Sequence, residues 1–76
     1  MTNLQIVDSI LKMWQGAYPD EMKSLGKKQC LVQAQALANM TRREMDTLKK
    51  GGIDEDTAWT EARYICMVPP PATADD

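Results

Sequence analysis

Residues 39–52 read NMTRREMDTLKKGG and hold four of the nine basic residues of a 76-residue chain. How this stretch divides into helix and link decides how many helices the chain has. Thr41 has the character of a helix N-cap, and Glu44 three positions on completes a capping box in which each side chain satisfies the other's backbone amide. Met40 and Met45 stand where a hydrophobic staple is needed. Met45 and Leu48 form the interior apolar stripe, and Gly51 ends the helix with Lys49 and Lys50 in its last turn, where positive charge meets the negative helix end. The expectation is a short amphipathic helix over 42–50 that starts afresh at Thr41.

Upstream, KKQCLVQAQALA over 27–38 puts Cys30, Leu31, Ala34, Leu37 and Ala38 on one face, with Gln33 and Gln35 off it. Ala34, Ala36 and Ala38 are small enough for a neighbouring helix to come close. Before this run, Pro19 with Asp20 and Glu21 suits a first helical turn, because Pro loses no hydrogen bond there and acids complement the positive end. Gly26 then weakens the helix. Two outcomes stay open: a short helix over 19–25 followed by a longer one, or one helix bent near Gly26.

At the N-terminus, Thr2 and Gln5 have the form of a capping box. Leu4, Val7, Leu11 and Trp14 recur at three- and four-residue intervals, beside a second row of Ile6, Ile10, Met13 and Ala17. Gly16 and the Tyr18-Pro19 step close this helix, since the residue before Pro is driven out of the helical region. Downstream of the glycines, Asp54, Glu55 and Asp56 crowd another helix start, and Ala58, Trp59, Ala62, Ile65 and Cys66 supply its inward face. Val68 precedes PPP, which cannot continue a helix. There is no alternating strand pattern and no repeat. The fold expected is all-α, a small single-domain bundle of four or five short helices over residues 1–68, with a disordered, Pro-rich acidic tail over 69–76.

A chain of this length buries only about 60 to 65% of the surface its unfolded form exposes, so there is room for one core. Without His, the usual general base near neutral pH is missing. Ser9 and Ser24 sit in helical patterns with no neighbouring base to activate them. The paired acids at Asp20 with Glu21 and over Asp54 to Asp56 fall where helix starts attract acids. Gly51 and Gly52 follow a helix and do not make a phosphate cradle. Catalysis is therefore not expected, and neither catalytic nor cofactor residues are assigned. Cys30 and Cys66 are 36 positions apart and form no CxxC pair, so no metal site is written and both are read as small core hydrophobes. The first residues lack the pattern of a signal peptide, and no window has the roughly 18 apolar residues needed to span a membrane. The expected setting is the reducing cytoplasm of a bacterium or a virus-infected host cell.

Charge is polarised along the chain. Residues 23–50 hold seven basic side chains against Glu44 and Asp46, a net +5. Residues 51–76 hold Arg63 against six acids, a net −5, so the overall −2 conceals the asymmetry. Such polarity points to a charged partner. One form this could take is a DNA-binding helix-turn-helix, with 27–38 and 42–50 as the two helices and Arg42 and Arg43 near the start of the reading helix. The link NMT lacks the glycine frequent in such turns, Glu44 and Asp46 share the reading helix, and the pI near 5.0 is far from that of a DNA-binding module. The four aromatics, without basic interleaving, do not form a stacking platform for RNA.

The order of AYP at 17–19, LANMTRRE at 37–44 and a terminal PPP after the last helix is similar to that of small phage proteins that load or inhibit replicative helicases. That likeness implies a helical adaptor without catalysis of its own. Compact acidic inhibitors encoded by phages and mobile elements, acting on host defence or replication complexes, fit the composition equally well.

The leading expectation is a non-catalytic adaptor or inhibitor that binds one larger protein or complex. Arg42, Arg43, Lys49, Lys50, Lys27 and Lys28 are assigned to an acidic partner surface, and Trp59 and Tyr64 are the candidate apolar anchors. The rivals are the helix-turn-helix regulator, with nucleic acid as partner, and a homo-oligomeric helical protein, of which a homodimer is the simplest form. No cofactor, metal or membrane is expected.

Overall fold

A computed structural model describes residues 2–70, and among these the secondary structure is entirely helical. Four α-helices follow one another: α1, Asn3–Ala17; α2, Pro19–Leu25; α3, Lys27–Lys50; and α4, Glu55–Ala62, which runs on into a single 3-10 turn at Arg63–Ile65. The expected capping box opens α1. The Thr2 backbone amide donates to Gln5 Oε1 at 2.8 Å, and the Gln5 amide donates to Thr2 Oγ1 at 3.2 Å.

The number of helices matches the lower expectation, but the division of the chain does not. No helix starts at Thr41. Residues 27–38 and 42–50 belong to the one 24-residue helix α3, about 36 Å long at 1.5 Å per residue. Thr41 is fully buried within it, and its hydroxyl donates to the Leu37 carbonyl one turn earlier at 2.8 Å. A Thr-x-x-Glu sequence can cap only if the backbone leaves the helical region at Thr. Between Lys27 and Lys50 there is no Gly or Pro to force that departure. Thr instead satisfies its hydroxyl by bonding back to the preceding turn. At the other end of α3 the expected glycine stop is present. Gly52 adopts φ +96°, the Ile53 amide donates to the Leu48 carbonyl and the Gly52 amide to that of Lys49, the paired bonds of a Schellman motif.

Gly26, at φ +91°, breaks α2 from α3, so the separate short helix is the correct alternative at that joint. Both α1 and α4 pack against α3, and their backbones do not approach one another. Asn3 and Asn39 are joined side chain to side chain at 2.8 Å, which places the start of α1 beside the second half of α3. The core is built from Ile6, Val7, Ile10 and Trp14 of α1, Cys30, Ala34, Ala38 and Met45 of α3, and Ala58, Ala62 and Cys66 beyond the loop over 51–54. Alanines from α3 and α4 line much of this seam, and their small size lets the helices pack closely.

Both expected rows of α1 face the core: Val7 and Trp14 of the first and Ile6 and Ile10 of the second are buried, whereas Leu4 at the helix start is 78% exposed. The α3 residues beside Leu4 include Gln35 and Asn39, so no apolar wall covers it. Trp14 is fully buried, and its indole Nε1 donates to the Val68 carbonyl at 2.7 Å, tying the C-terminal segment across the end of α1. Pro70 is buried too, so packing continues two residues into the expected tail. The rest of that tail, 71–76, lies outside the described residues.

Candidate functional site

The six cations assigned to partner binding divide into three groups. Arg42 and Lys49 lie on the flank of α3 and are engaged within the molecule. Arg42 Nε is 3.5 Å from Asp46 Oδ1, and Lys49 Nζ is 2.9 Å from Glu55 Oε1, bridging the loop from α3 to α4. Lys28, Arg43 and Lys50 are exposed on the side of α3 opposite its buried residues, a sector in which, among the described residues, Asn39 alone is bonded to α1, through Asn3. At 3.6 residues per turn, Lys28, Val32, Arg43 and Lys50 fall within about 60° of one another and span about 33 Å of helix. Among the described residues none of these three cations forms an ion pair. Asp46, at the edge of the same sector, is the acid paired with Arg42. Val32, about half exposed, is an apolar side chain set between the charges.

Lys27 forms the third group, together with a residue that sequence reasoning left out. Lys23 of α2 and Lys27 of α3 share the rim of a cleft of about 610 Å³ between α1, α2 and α3. Pro19, Met22, Lys23 and Gly26 line the cleft from α2 and its end, but the cleft forms only where three helices meet, which no local pattern in the chain reports.

The aromatic assignments separate. Trp59 is half-buried against the core and lines a smaller groove of about 180 Å³ between α1 and α4, with Ile10, Met13, Arg63 and Met67. That groove lies on the side of α3 that carries the core, so Trp59 does not join the cationic face. Tyr64 is 64% exposed on the 3-10 turn.

Both cysteines are free and buried. The Cys30 thiol donates to the Met22 carbonyl at 3.4 Å and the Cys66 thiol to the Arg63 carbonyl at 3.2 Å. Burial pushes the Cys66 thiol above its ordinary pKa, partly offset by a hydrogen bond with the Thr41 side chain, by a backbone hydrogen bond and by the charge of Arg63. Among the described residues no cluster of three or more His, Cys, Asp or Glu is placed to hold a metal ion. No helix there is long and apolar enough to cross a membrane. Comparison of the chain with models of known families, with curated proteins and with solved structures finds no match.

Proposed function

We propose that the protein is a non-catalytic adaptor or inhibitor that binds a larger protein through the outward face of α3. The observation that carries this reading is the line of Lys28, Arg43 and Lys50, unpaired cations on one rigid helix with Val32 among them. Structural uses for surface lysine and arginine include pairing with neighbouring acids, as Arg42 and Lys49 do. The three on the outward face serve no such use. Charges arranged in this way speed encounter with an acidic surface and fix its register, and an apolar side chain among them supplies an anchor.

This shifts the assignment away from Arg42 and Lys49, toward Arg43, Lys50 and Lys28. The helix-turn-helix alternative loses its turn, because its two helices are halves of α3. A phage or mobile-element source rests on the sequence likeness and the composition alone. The test is capture from the native cell with tagged wild type and with K28E/R43E/K50E, both checked by circular dichroism. The partner is expected to be lost with the folded variant and to survive in R42Q/K49Q. Duplex DNA at low salt is expected to give a flat gel-shift titration, and a shift that weakens steeply with salt would favour the nucleic-acid reading instead.

A further inference from the structure

The cleft between α1, α2 and α3 combines an apolar wall with a basic rim. Leu11, Met22 and Cys30 form its apolar wall, and Gln15, Lys23 and Lys27 its polar rim. Its volume of about 610 Å³ lies within the range of sites that take a ligand group. The charge at its mouth has one sign. Asp20 and Glu21 share α2 with Lys23, but the residues of α2 that line the cleft are Pro19, Met22 and Lys23; Glu21 falls on the far side of that short helix, and Asp20, about 60° round from Lys23, does not line the cleft. Neither lysine forms an ion pair among the described residues. An apolar chamber with two free ammonium groups at its rim selects a group that is apolar at its tip and anionic beside it.

We propose that this cleft takes an apolar side chain from an acidic peptide segment of the partner protein, the flanking carboxylates meeting Lys23 and Lys27. The inference rests on the reading of the protein as a partner-binding module and adds a second, recessed anchor site beside Val32 on the cationic face of α3. A peptide fits better than a free small anion because the cationic surface does not end at the rim. Lys28 follows Lys27 directly and begins the line that continues to Arg43 and Lys50. A main chain carrying further acids can follow that line, whereas an isolated carboxylate can use only the rim. Met22 adds an adaptable wall, suited to side chains of differing shape.

The test uses a short fluorescein-labelled peptide of Glu and Ser with a central Leu, its Leu→Ser version, and octanoate as the small-anion probe, each titrated into the full chain and followed by amide NMR shifts. The expected result is that the Leu peptide moves the amides of Leu11, Met22 and Cys30 and that its Leu→Ser version binds at least about tenfold more weakly. K23E/K27E and, separately, Q15W are expected to reduce binding by a similar factor. Gln15 is exposed, so a Trp there obstructs the cleft without disturbing the core or the charge. Unchanged binding by both variants, or shifts confined to residues around Arg43 and Lys50, would overturn the cleft proposal while leaving the α3 face to be judged by its own charge reversals. Shifts with octanoate and none with the peptide would also overturn it, the occupant then being a small organic anion. Absence of shifts with every probe counts against it as well.

Discussion

The indole of Trp14 and the backbone carbonyl of Val68, separated by 54 positions in sequence, are joined by a hydrogen bond of 2.7 Å. A buried Trp needs a partner for its N–H. Here the partner is the segment leaving the last helical turn, so one side chain both fills the core and ties down the C-terminal end of the packed chain. Trp14→Phe keeps most of the apolar bulk and removes the donor. The expected cost is about 1–2 kcal/mol, combining the lost bond with incomplete filling of the site. In a domain of this size that lowers Tm by several degrees, with about 4–8 °C per kcal/mol. Amide exchange at Met67 and Val68 should accelerate more than exchange in α3.

The unbroken course of α3 through Thr41 has an equally direct consequence. Met40→Pro removes an interior helix hydrogen bond and clashes with the preceding turn, a loss of about 3 kcal/mol or more. Were residues 39–41 a link between two helices, the same change would cost little. Urea denaturation separates the two, and strong exchange protection of the amides of Arg42, Arg43 and Glu44 is expected alongside, since the first amides of a new helix have no intrahelical acceptor.

Burial of the Cys66 thiol makes stability depend on alkaline pH. Below about pH 8 the thiol is protonated in the folded and unfolded states alike and adds no slope. Above its ordinary value of 9.0 the unfolded chain releases the proton while the folded chain retains it, so stability falls as pH rises toward the elevated folded pKa. Cys66→Ala removes this contribution. Every other group is common to both proteins, so the wild type should lose more stability than the variant between about pH 8 and about pH 10. Parallel urea midpoints across that range would contradict the assignment.

The local signals that could be read from the chain are those written in adjacent residues. The Thr2–Gln5 box, the Gly26 joint and the Gly51–Gly52 stop each depend on a few neighbours and each is present in the fold. Thr41 shows why the same logic misleads in a helix interior, where burial and a bond to Leu37 use the residue differently. Periodicity located the broad apolar face of α1, both rows of which are covered, but not the exposure of Leu4 at its start, because only the neighbours in space determine where the cover ends. Ile6→Ala should cost about 2–5 kcal/mol, while Leu4→Ala should change stability by no more than about 0.5 kcal/mol. At the candidate site, residue type identified the cations, but which of them are free depended on the positions of Asp46 and Glu55. Lys23 was passed over because its cleft forms only when α1, α2 and α3 meet.

The role of α3 is tested most directly by contact mapping in the native cell. A photo-crosslinking amino acid placed at Val32, between the free cations, should give a discrete adduct with the partner protein, and reversing Arg43 and Lys50 to Glu should abolish it. The same label at Thr60, exposed on α4, should give none. An adduct from position 60 and none from position 32 would contradict the assignment of the partner to the outward face of α3.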